Sequence, residues 1–269
     1  MKYHNHKIMM FICATAFSVT ACSNSNSFSD PIDFENTSEV PNPIPTQGTA
    51  KTFTTTADGT YSLAEGETKL FDGVSMAPTT IEIDKNKKFQ TIDGFGYAIT
   101  YSSCYNLMQM NPEARLALLK RIYSTTEGYG VSYARISLGC NDFSSTEYTY
   151  CDKKGSENDP ISNFELYSDE NNYVIPILKE ILSINPSLKI IAAPWTCPKW
   201  MKVADIDTKT PKDSWTDGHL NPDYRETYAK YFVKFINVMK EKGINIYAVS
   251  PQNEPLNKAN CASLYMPWQ

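Results

Sequence analysis

The stretch Ile244-Asn245-Ile246-Tyr247-Ala248-Val249, followed by Ser250-Pro251-Gln252-Asn253-Glu254-Pro255, decides the fold that we expect. The first six residues are mainly apolar and are typical of a buried β-strand. The next six place an amide and a carboxylic acid side by side directly after that strand. In a parallel α/β barrel, the carboxyl ends of the strands carry the chemistry. Glu254 is therefore a candidate catalytic carboxylate, although the stretch alone also fits a solvated glutamate in a surface loop.

The chain before this stretch alternates between strand-like apolar runs and amphipathic helical patterns. Asn111-Pro112 and Asn221-Pro222 are typical helix starts, because Asn caps the first turn and Pro fits the first helical position. The predicted strands cover residues 90–96, 131–138, 188–193 and 244–249. This alternation predicts a parallel sheet, either doubly wound or closed as a (β/α)₈ barrel. The sequence has no Gly-x-Gly-x-x-Gly and no phosphate-binding loop, which disfavours a nucleotide-binding fold.

The N-terminus is typical of an exported protein. Residues 1–21 combine two early lysines with a short apolar core, and they precede Cys22 after a small residue. This pattern predicts a lipoprotein signal peptide with Cys22 as the lipidated residue; cleavage near Ala21 followed by secretion is the alternative. Residues 22–50 are polar and Pro-rich, which predicts a flexible linker. We expect the protein in the cell envelope, anchored to the outer membrane through Cys22 or secreted. Residues 51–88 alternate and turn often, which predicts antiparallel β-strands.

Composition limits the chemistry that the chain can perform. The net charge of −5 argues against a nucleic-acid partner and suits a neutral ligand. The chain has three histidines, and two of them lie in the signal segment, so only His219 remains and a multi-histidine metal site is excluded. We expect no metal and no cofactor, and the acid/base chemistry left is that of carboxylates. The five later cysteines suggest buried thiols with at most one or two disulfides.

Polar and aromatic residues follow three successive strands. Asp142 follows the strand at 131–138, Trp195 follows the strand at 188–193, and Asn253 and Glu254 follow the strand at 244–249. Indole rings stack on sugar rings, and carboxylates and amides hydrogen-bond sugar hydroxyls. The strand ends therefore suggest a carbohydrate pocket, although ordinary packing explains Trp195 equally well.

Four motifs, in the same order, give residues 50–269 a resemblance to glycoside hydrolase family 30, which includes glucosylceramidases and endo-β-1,6-glucanases. The motifs are Gly94-Phe95-Gly96, Arg135-Ile136-Ser137 with Cys140-Asn141-Asp142-Phe143-Ser144, Pro194-Trp195-Thr196-Cys197-Pro198, and Gln252-Asn253-Glu254-Pro255.

The resemblance implies a (β/α)₈ barrel with an attached β-sandwich domain, to which residues 51–88 would contribute strands. It also implies hydrolysis with retention of configuration. Glu254 would be the acid/base, Asn253 would contact the sugar 2-hydroxyl, Asp142 and Trp195 would bind the sugar, and Arg135 would support the nucleophile. A retaining glycosidase needs two carboxyls roughly 5–5.5 Å apart, one protonated for the leaving oxygen and one ionised for attack on the anomeric carbon.

The resemblance places the nucleophile near the seventh strand, beyond Gln269. We therefore expect residues 89–269 to be the N-terminal half of the barrel, carrying the acid/base and lacking the nucleophile, and we expect this chain alone to be inactive. The expected substrate is a β-glucoside, either β-1,6-glucan, which the motifs favour, or a glucosylceramide-like lipid. The alternative from another class is a glycan-binding surface lipoprotein without catalytic activity.

Overall fold

The computed structural model describes residues 44–72, 81–259 and 261–267. The chain divides into two units, with the boundary between Lys88 and Phe89. The predicted signal peptide, Cys22 and the linker up to residue 43 lie outside the described residues. Among the residues that are described, no helix is long and apolar enough to cross a membrane.

The first unit contains an antiparallel hairpin of β1 (Ile44–Thr54) and β2 (Ala64–Asp72). The predicted linker at 22–50 is therefore too long at its C-terminal end, because β1 begins at Ile44. A bulge between Pro45 and Thr49 interrupts the register. It contains Gly48 at φ +136°, a conformation that glycine adopts readily. Residues 81–84, within the segment 51–88 in which the sequence predicted strands, form no strand. That the hairpin belongs to a β-sandwich stays a prediction.

The second unit is built from four longer helices and six strands among its described residues. In chain order these are β3 (Gly96–Ala98), α1 (Tyr101–Gln109), α2 (Pro112–Tyr123), β4 (Tyr133–Ser137), α3 (Ile175–Ile184), β5 (Lys189–Ala193), β6 (Lys202–Val203), β7 (His219–Leu220), α4 (Arg225–Glu241) and β8 (Ile246–Val249). A π-helical turn at Glu170–Val174 leads into α3, and 3₁₀ turns span Lys199–Met201 and Pro222–Tyr224.

The main sheet is parallel and has the strand order β3-β4-β5-β8, which confirms the predicted parallel α/β architecture. The first strand was predicted at residues 90–96 and lies instead at Gly96–Ala98. Gly96 permits this pairing because a Cβ there would come within 2.0 Å of the Tyr133 carbonyl oxygen. β6 and β7 form a separate two-stranded antiparallel sheet.

The helices cover one face of the sheet. Ala134, Ile136, Ile190 and Ala192 point to that face and are buried, and they pack in one apolar core with residues of α2, α3 and α4. The alternate residues of the same strands point to the other face, where Tyr133, Arg135, Ser137, Lys189 and Ile191 are partly exposed. A bidentate ion pair of Arg115 with Glu180, with N–O distances of 2.8 and 2.9 Å, ties α2 to α3.

Candidate active site

The candidate site residues lie after three neighbouring strands of the parallel sheet. Asp142 follows β4, Trp195 follows β5, and Asn253 and Glu254 follow β8, with β4, β5 and β8 adjacent in that order. Because the strands are parallel, their carboxyl ends share one edge of the sheet, which is where α/β proteins bind ligands.

Arg135 joins two of these residues. One of its terminal nitrogens donates to Asn253 Oδ1 at 2.8 Å. Its guanidinium carbon lies 4.9 Å from the centre of the Trp195 ring, within the range of a cation–π contact. Arg135 lies in the middle of β4, and the contact with Asn253 spans 118 residues of sequence. The side-chain amide and the indole that the sequence associated with a sugar are thus held by one guanidinium.

Gln252 connects the same two residues through hydrogen bonds, a role that the sequence analysis did not predict. Its side chain is buried, and its Nε2 donates to the Trp195 carbonyl at 2.6 Å and to the Asn253 carbonyl at 2.8 Å. The Asn253 backbone N–H also donates to the Pro194 carbonyl at 2.8 Å. The loops after β5 and β8 are therefore connected at the site by several buried hydrogen bonds.

Glu254 is exposed and has a backbone φ of +41°, a left-handed conformation that is uncommon for a residue with a side chain. Its Oε2 accepts from Asn257 Nδ2 at 2.8 Å. Both residues line an open cavity of about 540 Å³ together with Pro255 and Leu256. Unusual backbone conformations of this kind concentrate at functional sites. The carboxylate is available to a ligand while its backbone is held in a constrained turn.

Asp142 is also exposed, and a turn formed by its buried neighbour Asn141 presents it. Asn141 Oδ1 accepts from the Phe143 backbone N–H at 2.7 Å, and its Nδ2 donates to Ser137 Oγ at 3.0 Å. Burial raises the pKa of the Cys261 thiol, and the negative charges of Asp142 and Glu254 raise it further. Cys261 therefore lies close to both carboxylates.

A buried lysine holds the loops around the site together. Lys202 is 2% exposed, and its Nζ donates to the carbonyls of Ser214, Trp215 and Ser263 at 3.0, 3.0 and 2.7 Å. Burial lowers the pKa of its ammonium to about 8. Lys202 anchors the segment at 261–267. This segment also contacts the loop that carries Glu254, because the Met266 N–H donates to the Pro255 carbonyl at 2.7 Å.

Within the described parts of the chain, no group of three histidine, cysteine, aspartate or glutamate side chains is arranged to hold a metal ion. Cys104, Cys140, Cys151 and Cys197 are buried thiols that form no disulfide. Burial raises the pKa of each of these four thiols, which keeps them protonated and unreactive.

Exposed carboxylates, an amide and an indole at the carboxyl edge of a parallel α/β sheet are typical of barrel glycosidases. The particular family follows from comparison with known proteins. The chain belongs to glycosyl hydrolase family 30, whose TIM-barrel domain model matches residues 92–264. This confirms the resemblance drawn from the sequence motifs.

Relatives of two kinds resemble the chain. It is 32% identical over 221 residues to the putative glucosylceramidase 1 of Caenorhabditis elegans, covering 81% of this chain and 40% of that protein. It is 30% identical over 221 residues to the endo-1,6-β-D-glucanase of Neurospora crassa, covering 80% of this chain and 45% of that protein. Among solved structures, the endo-β-1,6-glucanase BT3312 is 55% identical with a TM-score of 0.70, covering 82% of this chain and 46% of that one. The chain thus spans less than half the length of these relatives.

Proposed function

We propose that this chain is the acid/base-bearing half of a retaining β-glucan hydrolase that cleaves β-1,6-linked glucose polymers. The observation that carries the proposal is the Arg135 contact with Asn253 and Trp195, immediately beside the exposed Glu254. It assembles, at one edge of the sheet, the groups that would bind a glucose unit and protonate its leaving oxygen.

Each residue has a role that follows from its chemistry. Glu254 protonates the glycosidic oxygen as the bond breaks and later takes a proton from the attacking water. Asn253, oriented by Arg135, donates its amide N–H to the sugar 2-hydroxyl, a hydrogen bond that strengthens in the transition state. Asp142 accepts hydrogen bonds from sugar hydroxyls, and the Trp195 ring stacks on the sugar. The fixed guanidinium of Arg135 also supports a neighbouring nucleophilic carboxylate.

The nucleophile comes from the second half of a barrel, which packs on the open face of the sheet. On this face Tyr247 is 57% exposed, and its ring lies 6.1 Å from that of Tyr133. A cavity of about 310 Å³ on the same sheet is lined in part by Arg135 and Ile191. In a closed barrel, inward side chains fill the interior in layers. The exposed Tyr247 side chain fits such a layer, and the chain matches under half the length of each of these relatives, which fits a half-barrel.

The substrate assignment rests on the degree of similarity. The 55% identity is to a protein described as an endo-β-1,6-glucanase, whereas the match to a glucosylceramidase is at 32%. Glucosylceramide carries the same β-glucosyl group on a lipid, so it is the second candidate. Comparing hydrolysis of β-1,6-glucan with that of glucosylceramide separates the two.

Two proteins are assayed on β-1,6-glucan: the 269-residue chain and the product of the longest open reading frame that contains it. We expect the chain alone to release no sugar and the longer product to hydrolyse the glucan with retained anomeric configuration, followed by NMR. Glu254→Gln in the longer product should lower turnover by about 100-fold or more. Azide, which needs no general base, should restore turnover of an aryl glucoside with a good leaving group.

Clear turnover by the 269-residue chain contradicts the missing nucleophile, and unchanged turnover of Glu254→Gln contradicts the role of Glu254. If the reading frame ends at Gln269 and the chain binds glucan without cleaving it, the protein is a glycan-binding lipoprotein instead.

The proposed location is the cell envelope, with lipid attached at Cys22, a residue outside the described part of the chain. Cys22→Ser should abolish incorporation of radiolabelled palmitate and move the protein from the membrane fraction to the soluble fraction. Cys104→Ser, a change at a buried thiol, is the matched control and should leave labelling intact. Equal labelling of the Cys22→Ser variant and the unaltered protein contradicts the anchor.

A further inference from the structure

Three tyrosine rings form a cluster beside the candidate site. Tyr101 is the first residue of α1, Tyr105 follows one turn later, and Tyr173 lies in the π-helical turn before α3. The ring centres are 6.0 Å apart for Tyr101 and Tyr105, 5.5 Å for Tyr101 and Tyr173, and 5.4 Å for Tyr105 and Tyr173. Tyr105 is 40% exposed, and the other two rings are half-buried. The cluster thus presents aromatic surface to solvent.

The cluster lies at the same edge of the sheet as the candidate site. Helix α1 starts directly after β3, with Thr100 as its N-cap, so its first turn is at the carboxyl end of that strand. Ser102 Oγ donates to the Phe143 carbonyl, and the Tyr101 hydroxyl hydrogen-bonds the side chain of Ser145. Both contacts are to the loop that presents Asp142. The tyrosine cluster and this sugar-binding candidate therefore form one continuous rim.

Two other aromatic rings, those of Trp215 and Tyr265, are in contact with cations. The ammonium of Lys199 lies 5.0 Å from the centre of the Trp215 ring, and that of Lys258 lies 3.8 Å from the centre of the Tyr265 ring. In the tyrosine cluster the three rings contact one another and carry phenolic hydroxyls. Helix α1 contributes one fully buried side chain, Cys104, to the core, so core packing does not account for two tyrosines on one helical face.

We propose that Tyr101, Tyr105 and Tyr173 form a platform for a neutral glucan chain that extends from the Asp142 side of the candidate site. Sugar rings have apolar faces that pack on aromatic rings, and their hydroxyls pair with phenolic oxygens. A platform joined to the Asp142 loop holds sugar units beyond the one being cleaved. The choice of a glucan as the ligand rests on the proposed function. With such a platform, a longer glucan binds more tightly than a short one.

The test is isothermal titration calorimetry of the full 269-residue chain with a β-1,6-linked glucose disaccharide and octasaccharide. Tyr105→Ala and Tyr173→Ala should each weaken octasaccharide binding by about tenfold, which corresponds to about 1.4 kcal/mol. Disaccharide binding should not change. Tyr105→Phe retains the ring and should retain most of the octasaccharide affinity.

Tyr129→Ala is the matched control, because Tyr129 is 62% exposed and lies between α2 and β4, at the opposite edge of the sheet. It should not change binding of either sugar. Thermal unfolding of every variant shows whether a loss of sugar binding comes from misfolding. Tyr105→Phe retains the aromatic ring and its packing, so it tests the ring without disturbing the fold.

Unchanged octasaccharide affinity in both alanine variants overturns the platform, and so does equal weakening of the two sugars or absence of octasaccharide binding by the unaltered chain. Asp142→Ala and Trp195→Ala test the proposed function separately, since they should weaken the disaccharide. If these two variants bind the disaccharide normally while the tyrosine variants lose the octasaccharide, the proposed function fails and the platform stands.

Discussion

Arg135 donates to Asn253 Oδ1 at 2.8 Å while its guanidinium faces the ring of Trp195. The bond fixes the orientation of the Asn253 amide, because the oxygen faces Arg135 and the NH₂ group is left for a ligand. Arg135 therefore orients both side chains that we propose to bind the sugar, and its planar, permanently charged group suits both contacts.

Arg135→Lys keeps the charge but loses the planar group that stacks on Trp195 and reaches Asn253. We expect this variant to bind a β-1,6-linked glucose disaccharide about tenfold more weakly, measured by calorimetry. Arg121→Lys is the control, because Arg121 makes a similar contact with the exposed Tyr129, 5.9 Å from its ring centre. Disaccharide binding by Arg135→Lys that equals that of the unaltered chain contradicts this role.

The left-handed backbone at Glu254 should lower the stability of the chain, although the side chain supplies the carboxylate that we propose for catalysis. Glycine adopts a φ of +41° without steric cost, so Glu254→Gly should be about 1 kcal/mol more stable to urea unfolding than Glu254→Ala. Both variants lose the carboxylate and its bond to Asn257, so the comparison isolates the backbone. Equal unfolding free energies for the two variants show that this conformation carries no strain.

Local sequence signals predicted the helices with strong caps. Asn111 caps α2 by accepting from the Glu113 N–H, and Asn221 accepts from the Asp223 N–H and caps the 3₁₀ turn that leads into α4. Helix α1 escaped prediction because it buries one residue, Cys104, and so has no clear apolar stripe. The first strand of the sheet was misplaced because the close approach of Gly96 to Tyr133 is a tertiary contact.

The sequence was sufficient to predict which residues lie at the candidate site, but not which contacts they make with one another. Parallel strands bring their carboxyl ends together, so Asp142, Trp195 and Asn253 could be grouped from the order of the motifs alone. The bond between Arg135 and Asn253 joins residues 118 positions apart, and nothing local in the sequence indicates it. The same holds for Gln252 and Lys202, since their burial depends on loops that fold over them.

Glu170 gives the chain a pH-dependent stability. This carboxyl is 4% exposed and accepts from the Tyr148 hydroxyl at 2.6 Å. Burial raises its pKa from 4.5 to about 7, and the bond from Tyr148 opposes that shift. Below pH 4.5 both the folded and the unfolded chain hold the proton. Between 4.5 and 7 the folded chain holds it more tightly, so the contribution of Glu170 to stability falls as the pH rises.

Glu170→Gln cannot ionise and should not show this loss. The difference in unfolding free energy between the variant and the unaltered chain should shift in favour of the variant by about 3 kcal/mol from pH 4 to pH 8. Urea unfolding at several pH values measures it. Because the Tyr148 bond favours the ionised form, Tyr148→Phe should move the midpoint of the shift to higher pH. Parallel stability curves for Glu170→Gln and the unaltered chain contradict the assignment.

We expect Lys202 to stabilise the folded chain, because its ammonium makes hydrogen bonds that an apolar side chain cannot make. At pH 7 its ammonium keeps its proton, because its lowered pKa of about 8 is still above that pH. Lys202→Met retains most of the volume but leaves the carbonyls of Ser214, Trp215 and Ser263 without this donor. Buried charged hydrogen bonds are costly to remove, so we expect a loss of about 3 kcal/mol in urea unfolding at pH 7.

The matched control for this change is Lys230→Met. Lys230 pairs with Glu226 at 2.8 Å on the exposed face of α4. Exposed ion pairs of this kind contribute little, so the control should unfold at the same urea concentration as the unaltered chain. Hydrogen exchange locates the effect of Lys202→Met. The N–H groups of Ser263 and Tyr265, which donate to Trp215 and Gly218, should exchange faster, whereas those of α2 should keep their protection. Uniformly faster exchange throughout the second unit would show instead that Lys202 supports the whole core and not these loops.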